Sequence, residues 1–375
     1  MARVRKLLIV GGGIGGLAAA IAARRAGVDV DLVEIQRELK VYHVGIIVQG
    51  NFIRAMAALG IAEDAIAAGY PQHGLLFQDL HGHVLQDIPG MPLAGPGYPT
   101  DLGMARPALH EVLVNAATRH GARVRLGVTF TEIAQSDDHV DVKFTDGTAA
   151  RYDLVVGADG LNSKVREVLF GDSGKPQFTG QGVWRYNISR PPELTRTIMC
   201  IGLEGGKCGA VPLTESTAYV LLVQAEPGNP KHPREKLAEI FRGRLAACTG
   251  LMGRMRDQIV DSSMVVYRPL HAVVLPPPWH KGRVLLLGDS AHATTPHLGQ
   301  GAAQAVEDAV VLGDLLSRGE EPPALMESYM KRRYERCRFI AESSVKIGEW
   351  EQKHSADADP MGLTKKMLAI VSQPI

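Results

Sequence analysis

Residues 6–34 read KLLIVGGGIGGLAAAIAARRAGVDVDLVE, and this stretch decides the fold. Lys6–Val10 is a short apolar run. Glycines follow at once, then the alanine-rich segment Leu17–Ala26, then a second β-type run, Val28–Glu34. Strand, helix and strand within about 30 residues is the length of a βαβ crossover, which sets two parallel strands beside one connecting helix. The turn after the first strand has glycines at 11, 13 and 16, the spacing G-x-G-x-x-G. Gly11 permits the tight turn, Gly13 lets a pyrophosphate approach the backbone, and Gly16 lets the helix pack close to the strand. With Ile14 and Gly15 they open a helix whose free N–H groups and dipole favour an anion. Glu34 ends the second strand and is placed to accept hydrogen bonds from a ribose 2′-OH. An acid there disfavours a 2′-phosphate, so the unit suits FAD or NAD rather than NADP.

Around this unit the chain has 375 residues, more than one ordinary core holds, so two domains are expected. The 41 basic and 40 acidic residues leave a formal charge of +1, which gives no electrostatic case for nucleic acid or an anionic membrane. Arg3, Arg5 and Lys6 precede an apolar run, as in a signal peptide, but Leu7–Val10 is too short and breaks into glycines. No apolar stretch approaches the roughly 18 residues of a membrane span. Cys200, Cys208, Cys248 and Cys337 form no C-x-x-C pair and have no histidine cluster nearby. No metal site or disulfide framework is expected, and a cytoplasmic location is the simpler reading.

The pattern further along predicts helices over Phe52–Leu59 and Pro107–His120, short strands joined by turns over 75–100, and strands at Val124–Val128, Phe130–Ala134, Val140–Phe144 and Asp153–Val156. Between about 177 and 278 the texture becomes mostly strand-like, as at Ala218–Val223 and Ser263–Arg268, around one helical patch, Lys236–Cys248. Pro276-Pro277-Pro278 marks the exit, followed by a strand at Arg283–Leu287 and helices over 300–317 and 322–350.

Two further motifs carry chemistry. Asp153–Gly160 reads DLVVGADG and continues to Ser163, Val165 and Arg166. Gly288-Asp289-Ser290-Ala291-His292 is followed by Pro296, by Gly299-Gln300-Gly301-Ala302, and by Glu307-Asp308-Ala309. A strand delivers Asp289 to its carboxyl end, where the carboxylate can hold a ribityl hydroxyl. The glycines around Gln300 open a helix whose N–H groups can face a flavin pyrimidine ring.

The three motifs in this order resemble the single-component FAD-dependent monooxygenases related to para-hydroxybenzoate and salicylate hydroxylases. Trp184-Arg185 and the helix ending near Trp350 are similar to the quinolone- and urate-hydroxylating members. The resemblance implies FAD as the bound cofactor, with NADH or NADPH as electron donor and no separate nicotinamide domain. It implies that Asp159 and Arg106, the latter in Arg106-Pro107-Ala108-Leu109, contact the FAD. The implied chemistry is hydroxylation of a small aromatic or heteroaromatic substrate with O2, through a flavin C4a-hydroperoxide. The implied fold is α/β: a Rossmann-like FAD-binding domain (1–75, 101–176 and 279–375, with C-terminal helices) and an interleaved, mostly β substrate domain (76–100 and 177–278). A monomer or homodimer is expected.

Within that frame Pro296 would place its carbonyl near the reacting centre. His297 either handles a substrate proton or makes a helix-start hydrogen bond. Arg185, beside Tyr186 on the predicted floor strand, either binds a carboxylate or phenolate or is ion-paired. Tyr219 and Tyr267 read as packing residues, and His271 and His292 as structural. The chain departs from the family at His43-Val44-Gly45-Ile46, where G-A-G-I is usual, and at Gly50-Asn51, where P-N is usual. Tyr42 and His43 fall where flavin is expected to meet substrate. Rival readings on the same fold are a flavin reductase, a halogenase and a non-catalytic FAD-binding sensor.

Overall fold

A computed structural model describes residues 4–38, 43–353 and 355–375. Lys6–Val10 lies at the centre of a sheet, hydrogen-bonded in parallel to Asp29–Glu34 on one side and Leu154–Gly157 on the other. Arg123–Leu126 and Val284–Leu286 extend the parallel set, and His280–Lys281 closes one edge antiparallel. Leu7, Leu8, Ile9 and Val10 are all buried, as expected of a parallel strand covered on both faces. One cover is the helix Ile14–Arg25, which packs on Gly301–Ser317 so closely that a Cβ on Gly313 would lie 2.7 Å from that of Ala22.

The second large sheet has seven strands, in the order Val266–Ala272, Gln177–Ser189, Thr217–Ala225, Gly206–Pro212, Thr197–Leu203, Leu75–Gln78 and Val84–Ile88. Side chains alternate across a strand. Along Gln177–Ser189, Trp184, Tyr186 and Ile188 therefore pack beneath the helices Leu237–Arg244 and Gly250–Arg256, in one cluster with Phe241 and Met252. Val183 and Arg185 take the other face. The helical patch expected over Lys236–Cys248 is thus shorter, and a second short helix follows it. The final helix, Pro360–Ser372, was not anticipated either.

A three-stranded sheet, Gly45–Gln49, Asp101–Ala105 and Tyr70–Gln72, lies against the seven-stranded one. Glycine makes this approach close: a Cβ on Gly45 would strike the Tyr219 ring at 2.1 Å, and one on Gly103 would meet the Pro212 carbonyl at 2.0 Å. Among the described residues, no helix is long and apolar enough to cross a membrane.

Candidate active site

A cavity of about 610 Å³ opens where the carboxyl ends of the parallel strands face the other two sheets. Gly13, Ile14 and Gly15 line it, while Gly11 and Gly16 shape the turn behind them. A Cβ on Gly16 would lie 1.9 Å from the Gly11 carbonyl oxygen, whereas one on Gly13 would meet nothing within 4 Å. The helix Ile14–Arg25 begins with no side-chain cap and no acid in its first turn, so its leading N–H groups remain available to a ligand. Glu34 accepts from the backbone N–H of Gly12 through Oε2 and of Gln36 through Oε1, both at 2.8 Å. Each oxygen keeps a further lone pair for a hydroxyl. His110 donates from Nε2 to the Gly12 carbonyl at 2.7 Å. The sequence reading missed this residue. Its signal was the spacing of four from Arg106, which puts both on one face of the helix Arg106–Arg119.

From the Asp-Gly motif, Ala158 and Gly160 line the cavity. The Asp159 carboxylate is taken up within the chain: Oδ1 accepts from Ser163 at 2.5 Å and from Ser290 at 3.2 Å, and Oδ2 accepts from the N–H groups of Lys164 and Val165. Asp289 does line the cavity, beside Gly299, Gln300, Gly301 and Ala302. Gly301 starts a second helix with no side-chain cap. Asp289 is exposed to the cavity, and its position deep within the protein raises its pKa against the opposing pull of His292 and Arg106.

Arg106 and Arg185 also line the cavity, and neither guanidinium has a hydrogen bond or ion pair among the described residues. Burial lowers the pKa of Arg106. Burial, and then the nearby charge of Arg106, bring Arg185 down to about 10. Taking guanidinium groups out of water without hydrogen-bonded partners is costly, so this wall suits anionic or hydrogen-bond-accepting ligand groups. Tyr219, read from sequence as packing, lines the cavity within reach of both charges, and its burial raises its own pKa. Tyr267 instead stacks 4.4 Å from Trp184 on the far face of the sheet.

Pro296 lines the cavity, and its carbonyl accepts from the Gly299 N–H at 3.0 Å. His297 lies beside it with both ring nitrogens engaged: Nδ1 to Thr295 Oγ1 at 2.9 Å and Nε2 to Glu351 at 3.1 Å. Lys207 pairs with the other oxygen of Glu351 at 2.8 Å. Burial would raise the Glu351 pKa, but Lys207 and His297 hold it near 2. Burial, with Lys207, lowers that of His297. The ring is therefore neutral, with its proton on Nε2 facing the carboxylate and Nδ1 accepting from the Thr295 hydroxyl. Lys207 and Glu351 were absent from the sequence reading; they come from a sheet and a helix far apart in the chain. His43 is exposed and outside the cavity lining, with its carbonyl accepting from Asn187 at 2.8 Å. Tyr42 lies outside the described residues. His271 packs against Phe178, and His292 pairs with Asp308 at 2.7 Å.

The family model described as "FAD binding domain" matches residues 5–344. The chain belongs to this FAD-binding family. Over 361 residues it is 32% identical to the aurachin C monooxygenase/isomerase of Stigmatella aurantiaca, covering 94% of this chain and 91% of that protein. Over 359 residues it is 30% identical to a 2-heptyl-3-hydroxy-4(1H)-quinolone synthase of Pseudomonas aeruginosa, covering 93% and 91%. Among solved structures, Klebsiella pneumoniae HpxO complexed with FAD and uric acid superposes with a TM-score of 0.85 at 26% identity, covering 98% of this chain and 93% of that one. This flavoprotein thus has the α/β, Rossmann-like fold expected from its sequence.

Proposed function

We propose that this flavoprotein is a monooxygenase that takes electrons from NADH or NADPH and places one oxygen atom from O2 on a small aromatic or heteroaromatic ring bearing an ionisable group. The observation that carries this is Arg185: a half-buried guanidinium on the cavity wall with no anion among the described residues to meet it. An ionised hydroxyl, carboxyl or ring nitrogen of a substrate supplies that anion, with the Tyr219 hydroxyl beside it. Relatives named for quinolones, and a neighbouring fold holding uric acid, support the ring class.

The residues present fit FAD. The glycine turn and the uncapped helix behind it would hold the pyrophosphate, and Glu34 the ribose. Asp289 and Arg106 would hold the ribityl chain, and Gly299, Gly301 and Ala302 the pyrimidine edge. When bound, FAD supplies the activation of O2 and the transfer of oxygen. The chain supplies orientation at Arg185, and apolar walls at Val183, Leu221, Val223 and Leu270 that exclude water. His297, neutral and held at both nitrogens, fixes the turn at Pro296 and exchanges no proton with substrate directly. In this reading the parallel sheet and C-terminal helices (1–75, 101–176, 279–375) form the FAD-binding domain, and 76–100 with 177–278 form the substrate domain. We place the protein in the cytoplasm, consistent with four buried, free cysteines.

The test is turnover under 18-O2 with a screen of hydroxylated and nitrogen-containing rings. A hydroxylated product must gain one heavy oxygen, and none from heavy-oxygen water. Product formed without O2 would make this a reductase; no product, with FAD bound, would make it a binding protein.

A further inference from the structure

One acid on the cavity wall has no place in that scheme. Asp101 begins the strand Asp101–Ala105, pairs in register with Gln49, lines the cavity and is 8% exposed. Leu102 and Met104, its alternate neighbours, point into the core behind the small sheet, so Asp101 points the other way. Its Oδ2 accepts from the Gly74 N–H at 2.9 Å and the Thr100 hydroxyl at 2.8 Å. Its Oδ1 accepts nothing from the described residues, and no ion pair reaches it. Two glycines let backbone pack close on the Oδ2 side: a Cβ on Gly90 would stand 2.5 Å from Oδ2, and one on Gly74 would strike the Ile88 carbonyl at 2.1 Å.

Position adds to this. Ala105, at the other end of the strand, pairs with Gly45, which touches the Tyr219 ring. Four residues at about 3.3 Å each put Asp101 roughly 13 Å away along the strand. The cavity therefore has Arg106 and Arg185, with Asp289 near Arg106, toward one end of this strand and Asp101 toward the other. A substrate whose anionic group meets Arg185 extends from there along the wall toward the acid.

We propose that Asp101 is a catalytic base of this site, accepting the proton of a ring N–H or O–H on the substrate edge remote from Arg185. The proton passes from the ring heteroatom to Oδ1, giving a neutral carboxyl group. The bonding pair stays on the heteroatom and enriches the ring that receives oxygen. The inference rests on the monooxygenase reading. Burial raises the Asp101 pKa above its ordinary value of 3.8, partly offset by Thr100, by Gly74 and by the charge of His73. His73 is the titratable neighbour that faces it; Gln49, Gln72 and Thr197 around it are uncharged.

The test uses the FAD-loaded enzyme with urate, 3-hydroxybenzoate and 4(1H)-quinolone, taking whichever most stimulates NAD(P)H oxidation. Asp101→Asn keeps an acceptor for Gly74 and Thr100, so a merely structural role survives it. The expected result is intact FAD binding, a kcat lower by about 100-fold or more, and loss of the acid limb that wild type shows in kcat/KM. Thr100→Val keeps the acid and removes one bond to its charged form, so that limb should move to higher pH. The Thr100 variant decides the matter should Asp101→Asn fail to fold. Near-normal kcat with an unchanged pH profile in Asp101→Asn would make Asp101 only a turn acceptor. Loss of FAD in that variant would assign the acid to the flavin imide N–H. An unmoved limb in Thr100→Val, or stimulation by none of the three rings, also overturns the proposal. Labelled product from wild type separates all these outcomes from failure of the monooxygenase reading itself.

Discussion

Asn51 donates from Nδ2 to Oε1 of Glu307 at 3.0 Å, a bond between residues 256 apart in the chain. The same amide group donates to Gln300 Oε1 at 2.9 Å, and Gln300 returns a bond to Asn51 at 3.2 Å. Arg333 closes the network from the long helix Pro322–Lys353, reaching Glu307 at 2.9 Å and Asp308 at 2.7 Å. Asp308 also accepts from His292 and from the Gly288 N–H. Burial would raise its pKa, but His292 and Arg333 bring it to about 2. One satisfied buried network thus fixes both Gly288–Asp289 and the turn at Gln300, the two places where the chain meets the cavity from below.

Arg333 is the only cation touching both acids of this network among the described residues with no side-chain exposure of its own. Arg333→Met should therefore remove the close cation from both acids, leaving Asp308 with His292 and Glu307 with Arg54 and Arg336 at 3.6 Å. The expected loss is about 3–5 kcal/mol of unfolding free energy. Urea denaturation of the variant against wild type measures it, and a change under about 1 kcal/mol would show that the acids find other partners.

The βαβ unit was legible because its signal is local: glycine spacing, an apolar strand and a terminal acid all fall within one short stretch. Asp289, Gly299 and Gly301 were legible as a block for the same reason. Lys207, Glu351 and Asp101 were not, because each matters only for what distant elements bring beside it. Tyr219 read as packing since an isolated tyrosine in a strand usually is. Only the register of its strand, Thr217–Ala225, with Gln177–Ser189, which puts it on the same face as Arg185's neighbour Leu221, turns it toward the cavity. Arg185 and Tyr186 read alike in sequence, and the pleat sends one into the cavity and the other under the helices.

Gly13 and Gly16 should fail differently. Gly13 has φ −78°, and an added Cβ meets nothing, so Gly13→Ala should fold with near-normal stability. It should bind FAD at least tenfold more weakly, or about 1.4 kcal/mol, because the methyl occupies the approach of the pyrophosphate. Gly16→Ala drives a Cβ to 1.9 Å from a backbone oxygen and should lower stability even without FAD. Thermal melts of the two apoproteins, with FAD titrations, separate the effects; equal stability losses would contradict the assignment.

Acid should loosen the Lys207–Glu351–His297 group. Glu351 is held near 2 against an ordinary 4.5, so its contribution is complete above 4.5 and is lost as pH falls toward 2. His297 is also lowered from its ordinary 6.5, so the folded state resists its protonation and loses stability as pH drops below 6.5. Both signs run the same way. The Glu351 part is roughly 3 kcal/mol at most. Glu351→Gln should melt lower than wild type at pH 7, and the gap should shrink by pH 4. A gap that stays constant or widens toward acid would show that the carboxylate is not held ionised by these partners.

Asp289→Ala and Arg185→Ala should divide cofactor from substrate. Asp289 faces the cavity between the glycine turn and Gly301, where a ribityl chain would lie, and its carboxylate has no hydrogen bond to lose among the described residues. Removing a charged hydrogen-bond partner of a buried ligand costs on the order of 2–3 kcal/mol, or about 30- to 150-fold in FAD affinity. Arg185 stands on the opposite wall, on a strand of the seven-stranded sheet. Its alanine variant should retain FAD within about threefold and lose its effect in KM for an anionic ring, or in kcat where orientation limits oxygen transfer. Fluorescence titration of FAD into each apoprotein gives the first comparison, and steady-state kinetics the second. Comparable flavin loss in both variants would mean that Arg185 belongs to the cofactor site, and with it the anion that this wall is built to receive.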